Sequence, residues 1–183
     1  MIKKHYYSWQ DVEKMCVQIV NQMYTDNWRP DYIVGITRGG NIPATIISNM
    51  TGISCHALKV SLRDDEGSES NCWMADNAFG IVAEEDTPVY KSRWDPAMRK
   101  NILVVDDIND TGATFNWIKQ DWQASCLPNE ESWKTVWNNN VRFATLTNND
   151  ASDFDNVRYT CHEINKAEED VWLVYPWENI GEY

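Results

Sequence analysis

Three carboxylates and a run of small residues stand close together in the middle of the chain. Asp106, Asp107 and Asp110 lead directly into Thr111, Gly112, Ala113 and Thr114. Glycine and small hydroxyl residues at the start of a helix leave backbone N–H groups open. Those donors, with the helix dipole, favour a phosphate. Thr111 and Thr114 add hydroxyl groups. The carboxylates would repel a bare phosphate, so they make sense beside a ligand that also presents hydroxyls or a cation. A ribose with a terminal phosphate presents both halves. Asp106 and Asp107 would then face sugar hydroxyls or the hydration shell of Mg²⁺, and Thr111 to Phe115 would cradle the phosphate. The plainer alternative is a capped helix after an acidic turn, and it gives no reason for three spaced acids behind the apolar residues Ile102 to Val105.

A second turn of unusual composition is Thr37-Arg38-Gly39-Gly40. Arg38 offers a fixed fork of donors for an anion, and the two glycines allow close approach of the backbone. A third segment runs from Asp170 to Glu178, with Trp172 and Trp177 around an apolar core and Pro176 as a stop. Trp172 is either a stacking platform or a packed core residue; Trp177 fits a structural role better.

The elements that must position these residues alternate. Ser8 predicts a helix N-cap, and Trp9, Val12, Cys16, Ile19, Val20 and Met23 follow at helical spacing to about Tyr24. Tyr32 to Ile36 predicts a buried strand, and Pro43 suits the first turn of a second helix running to about Met50. Strands are predicted over Ser54–Leu62, Ile102–Val105, Val141–Leu146, Val157–Thr160 and Val171–Tyr175. Helices are predicted from the Thr111 turn to about Ser125 and, shorter, over Glu130–Trp137. The segment Arg63–Lys100 is long, acidic and weakly periodic, which suggests a lid, a binding loop or a small subdomain. Its aromatic residues Trp73, Phe79, Tyr90 and Trp94 argue against simple disorder. The whole predicts one α/β domain over residues 1–183: a mostly parallel twisted sheet with helices on both faces, a long insertion over 63–100 and a small C-terminal hood over 161–183. In such sheets ligands bind beyond the C-terminal ends of the strands, where the first two turns fall.

Bulk properties narrow the partners. A net charge of −12 on 183 residues argues against nucleic acid or an anionic membrane as the main partner. There is neither an apolar run of membrane-helix length nor a signal-peptide core, so a cytoplasmic protein is expected. The five cysteines are scattered without a Cys-x-x-Cys pair, which predicts reduced thiols rather than a disulfide framework or a structural zinc site.

The run VVDDINDTGAT from Val104 to Thr114 resembles the signature by which type I phosphoribosyltransferases bind 5-phosphoribosyl 1-pyrophosphate (PRPP). The turn Thr37 to Gly40 resembles the pyrophosphate loop of the bacterial xanthine-guanine members. The segment around Trp172 resembles their C-terminal base-binding stretch. The resemblance implies transfer of a phosphoribosyl group to a nucleobase, most simply a purine such as hypoxanthine, guanine or xanthine. It assigns the ribose 5-phosphate to Asp110, Thr111, Gly112, Ala113, Thr114 and Phe115, and the pyrophosphate to Thr37, Arg38, Gly39 and Gly40. Asp106 and Asp107 would hold Mg²⁺, mostly through water, and stabilise charge on the sugar. Asp110 would accept the proton of the purine imidazole, Trp172 would stack on the base, and Leu173 would offer backbone groups to its edge. The family often has a strained or cis peptide in this turn, which here would fall before Arg38. Relatives are commonly dimers or tetramers.

Two features depart from the family pattern. The lysine that reads the exocyclic oxygen of the base is replaced at the matching position by Asn149, leaving Lys59 and Lys166 as cations that could substitute. The 63–100 insertion is far longer than in the bacterial members, and Ser61-Leu62 stands where a Ser-Tyr pair is usual. The alternatives are a phosphoribosyltransferase for a different base, and a regulatory protein that binds PRPP or a nucleotide without turnover.

Overall fold

The computed structural model describes residues 2–60, 72–82, 93–126 and 131–178. A five-stranded sheet, parallel throughout, forms its centre in the order β3-β2-β6-β7-β8, built from β2 (Tyr32–Thr37), β3 (Ser54–Lys59), β6 (Ile102–Asn109), β7 (Val141–Asn149) and β8 (Val157–Ile164). Side chains alternate across each strand, so each strand serves two cores. Val34, Val104 and Phe143 point to one face, and Ile33, Leu103 and Ala144 to the other. Two apolar layers on one sheet explain why these strands read as continuous apolar runs.

Helices α1 (Trp9–Thr25) and α2 (Asn41–Thr51) cover one face. Ser8 and Asp11 form a reciprocal capping box at the start of α1, and Val12, Met15, Cys16, Ile19 and Met23 bury its inner stripe. Helix α4 (Ala113–Ser125) covers the other face through Phe115, Ile118 and Trp122.

Three features sharpen or correct the sequence expectation. Of the lid, binding loop or small subdomain expected at 63–100, the described part is folded structure. It contains α3 (Cys72–Phe79), whose Met74, Ala75, Ala78 and Phe79 join the α4-side core. The short antiparallel pair β4 (Ile81–Val82) and β5 (Arg93–Trp94) follows it. Eight residues without a capping signal gave too short a period to read, yet the buried positions lie on one helical stripe. The segments 61–71 and 83–92, with the Ser61-Leu62 pair, lie outside the described residues.

The hood is also composed differently. Residues Lys3–Tyr6 form β1, which pairs in parallel with β9 (Val171–Val174) as a separate two-stranded sheet. Cys161 to Ile164 belong to β8 of the central sheet. The hood therefore joins the two ends of the described chain. Finally, β6 runs through the acids to Asn109, so Asp106 and Asp107 sit on the end of a strand rather than in a turn.

Candidate active site

The acids extend beyond the reach of β2. Strand β6 pairs with β2 only as far as Val105, while its pairing with β7 continues to Asn109. The edge freed beyond Val105 is filled by the turn after β2. A Cβ on Gly39 would lie 2.1 Å from Asp107 Oδ2, and one on Gly40 would lie 2.5 Å from the Val105 carbonyl and 2.7 Å from the Asp106 Cα. At Gly40 the backbone leaves no room for a side chain, and at Gly39 a Cβ would displace the Asp107 carboxylate, so the Arg-Gly-Gly turn rests directly on the acid pair. The Thr37–Arg38 peptide is cis, and Arg38 is exposed.

The two acids brace their own strand end. Asp106 Oδ1 accepts from the Asp107 amide at 2.9 Å, and Asp107 Oδ1 accepts from the Ile108 amide at 2.9 Å. Burial, and then the neighbouring negative charge, pushes the Asp106 carboxyl well above the usual carboxylate range; burial pushes Asp107 up as well. A divalent cation would relieve both effects. One or two carboxylates completed by a ligand's phosphate oxygens and water is the ordinary protein environment of Mg²⁺, and this pair fits it.

The Thr111–Thr114 turn opens a helix, as its sequence predicts. Gly112 is left-handed at φ 89° and makes no side-chain cap to α4. A Cβ there would also lie 2.5 Å from the Phe154 amide nitrogen. Thr111 is exposed, Thr114 is half-buried, and Thr111 Oγ1 accepts from the Ala113 amide at 3.3 Å. Phe115 is a core residue, so its backbone N–H, not its ring, is what it can offer a phosphate. The loop after β7 supports this turn from behind: the Asp153 amide donates to the Thr111 carbonyl at 3.0 Å, and Asn109 Nδ2 donates to the Phe154 carbonyl at 2.9 Å. That support comes from residues some forty positions away and has no local sequence signal.

Asn149 requires correction. It was expected to face a base, but it is buried and its amide is already committed. Its Nδ2 donates to the Asp110 carbonyl at 2.9 Å, and its Oδ1 accepts from the amides of Ala151 at 3.2 Å and Lys166 at 3.0 Å. Asn149 thus ties the acid loop to the β8–β9 turn. One consequence is the position of Lys166, whose Nζ lies 3.0 Å from Asp110 Oδ1. An acceptor and a donor of opposite charge therefore stand side by side at the end of the acid run. Lys59 is on β3, at the far edge of the sheet from β8.

Trp172 is 59% exposed on β9 between the buried Val171 and Leu173, and so presents a free aromatic face. Trp177 is packed, stacked on Tyr175 at 4.7 Å with rings 6° from parallel.

A parallel sheet whose strand ends bring a glycine turn, an acid pair and an uncapped helix start together defines a nucleotide- or sugar-phosphate-binding α/β protein. The chain belongs to the phosphoribosyl transferase domain family, whose model matches residues 1–174. It is 27% identical to xanthine phosphoribosyltransferase 1 of Saccharomyces cerevisiae, over 99% of this chain and 93% of that protein. It is 26% identical to the hypoxanthine-guanine phosphoribosyltransferase of Schizosaccharomyces pombe, over 94% of this chain and 88% of that one. Among solved structures, the purine phosphoribosyltransferase of Pyrococcus horikoshii shares the fold with a TM-score of 0.62 at 20% identity, covering 98% of this chain and 97% of the other. No helix among the described residues is long and apolar enough to cross a membrane.

Proposed function

We propose that this chain transfers the phosphoribosyl group of PRPP to a 6-oxopurine, hypoxanthine, guanine or xanthine, releasing a nucleoside monophosphate and pyrophosphate in base salvage. The observation that carries the reading is the seating of Gly39 and Gly40 on Asp107 and Asp106. It supports a pyrophosphate on the backbone and Arg38 donors of that turn, next to acids suited to a ribose and its cation. The names of the yeast relatives support the purine acceptor.

In this reading the Thr111–Phe115 backbone and the two threonine hydroxyls hold the 5-phosphate at the start of α4. Asp106 and Asp107 lie beneath the sugar and stabilise positive charge as the bond from the ribose carbon to pyrophosphate breaks. They would also hold Mg²⁺, mostly through water, and the ion would supply charge neutralisation for the departing pyrophosphate. Thr37 to Gly40 bind that group, with Arg38 as the charged donor. Asp110 takes the proton released by the attacking purine nitrogen. Lys166, beside it, donates to the exocyclic oxygen of the base, the part left unfilled by Asn149. Trp172 stacks on the ring, and Leu173 contributes backbone groups. The same reading implies a cytoplasmic homo-oligomer, dimer or tetramer, with neither nucleic acid nor membrane as a partner.

Initial rates with PRPP, Mg²⁺ and a panel of bases test the acceptor. The three 6-oxopurines are expected to react and adenine, which offers an amino group to Lys166, to react poorly. A preference for adenine or for a pyrimidine would overturn the Lys166 assignment.

A further inference from the structure

Behind the acid pair runs a line of hydrogen bonds that reaches the edge strand β8. The Tyr175 hydroxyl lies 2.9 Å from the Asp107 backbone carbonyl and 3.0 Å from Thr147 Oγ1. Thr147 Oγ1 lies 2.9 Å from the Tyr7 hydroxyl, and the Tyr7 hydroxyl is bonded in turn to His162 Nδ1. Tyr175 and Thr147 are fully buried and Tyr7 is nearly so, so water does not stand between these three hydroxyls, while His162 is half-buried. The line joins four elements: the hood, through Tyr7 and Tyr175 at the ends of β1 and β9, the strands β7 and β8, and the acid-bearing end of β6.

Counting protons fixes its direction. There are four contacts and only three hydroxyl protons. The carbonyl of Asp107 can only accept, so Tyr175 gives it its proton. The Thr147 hydroxyl must then donate to Tyr175, and the Tyr7 hydroxyl to Thr147. The fourth proton has one remaining source, the Nδ1–H of His162. Any other arrangement leaves two buried oxygens, or an oxygen and a nitrogen, facing each other without a proton, at the cost of an unsatisfied polar pair.

We propose that Tyr175 is a positioning residue for PRPP binding. It holds the Asp107 main chain through a one-directional chain, Tyr7 to Thr147 to Tyr175, whose final donor is His162 in its Nδ1–H form. Tyr175 touches the backbone and not the reacting atoms, so it acts through Asp107. The consequence for His162 is specific. Burial, followed by the charge of His5, lowers its pKa, so near neutral pH the ring carries a single proton. That proton must be on Nδ1, whereas a neutral imidazole in water favours Nε2. Stacking reinforces the line, with Tyr7 on Tyr175 at 4.9 Å and Tyr175 on Trp177 at 4.7 Å. The hood and the PRPP acids are therefore not independent parts.

The chain direction is tested on the wild-type protein without any activity measurement, by long-range ¹H–¹⁵N NMR of the histidine rings at pH 8. The His162 ring is expected as the Nδ1–H tautomer, and finding Nε2–H with a bare Nδ1 would overturn the proposal. The positioning role rests on the PRPP reading and is tested separately. Tyr175→Phe is expected to raise the KM for PRPP about five-fold, the order of one hydrogen bond, with the KM for the base unchanged. Tyr7→Phe combined with Tyr175→Phe is expected to be no worse than Tyr175→Phe alone. His162→Asn, whose Nδ2 can donate from the place of the ring Nδ1, is expected to stay near wild type where His162→Leu is not. Equal loss of affinity for base and PRPP, or additive effects of the two tyrosine changes, would show a general structural role and overturn the proposal. A wild-type protein that neither binds nor consumes PRPP would refute the reading of the site, while the tautomer result would stand on its own.

Discussion

Asp106 and Asp107 lie side by side at the end of β6, and among the described residues neither has a cation against it, whereas Asp110, three residues further on, has the Lys166 ammonium at 3.0 Å. The first pair is held by backbone amides from its own strand end and covered by glycines. Asp110 is held by a clamp from the end of β7 and the turn after β8. A pair of carboxylates pushed up by burial, with Asp106 raised further by its neighbour's charge, is suited to receive positive charge brought in by a ligand and its metal. A carboxylate that already has a partner is suited to exchange it for a base that offers an N–H donor and a carbonyl acceptor together. One run of five residues thus contains two electrostatic solutions, and under the proposed function the difference divides the site into a sugar end and a base end.

The largest break in this comparison is expected from Asp110→Asn. It removes the proton acceptor and leaves Lys166 opposite a neutral amide, and kcat should fall by roughly 10²–10⁴, the usual cost of a lost general base. An unchanged rate would remove Asp110 from the chemistry. Gly39→Ala tests the sugar end. Its Cβ would lie 2.1 Å from Asp107 Oδ2, so either the turn or the acid must move. A displacement of that size should cost about 10² in kcat/KM, carried mainly by PRPP; a loss in base affinity alone would place the turn elsewhere in the site.

The smallest effect sharpens the comparison through stability. The folded-state pKa of Asp106 is raised, so between the ordinary carboxylate value and that raised value the unfolded chain binds fewer protons than the folded one. Stability from this group is therefore greatest at low pH and is lost as pH rises through that window. Asp106→Asn removes the penalty while keeping an oxygen for the Asp107 amide. The ligand-free variant should melt a few degrees above wild type at neutral pH, with the gap closing toward pH 4, and should bind PRPP poorly. A variant less stable than wild type at neutral pH would show that the pair is not strained by its own charge.

The sugar end was legible in the sequence because it is continuous. Strand, acids, glycine turn and helix follow one another from Ile102 to Ser125, and each step has a local cause. The glycines of the second turn were legible as a loop, though not as the surface that rests on Asp106 and Asp107. The base end was largely hidden. Asn149 stands where a base-reading residue was expected, and only the fold shows its amide spent on Asp110, Ala151 and Lys166. β1 escaped notice because four exposed residues, Lys3 to Tyr6, carry no alternation, and their pairing with β9 is set by a partner at the other end of the chain. Helix α3 was lost inside an acidic stretch whose burial comes from α4 and not from its own period.

The most direct measurement is the stoichiometry of product formation. The protein is incubated with PRPP, Mg²⁺ and hypoxanthine, and nucleoside monophosphate and pyrophosphate are quantified together. The account predicts that both appear in equal amounts, at a rate that depends on the base and on Mg²⁺. PRPP that binds but is not consumed, with neither product formed, would contradict it and leave a binding protein in place of an enzyme.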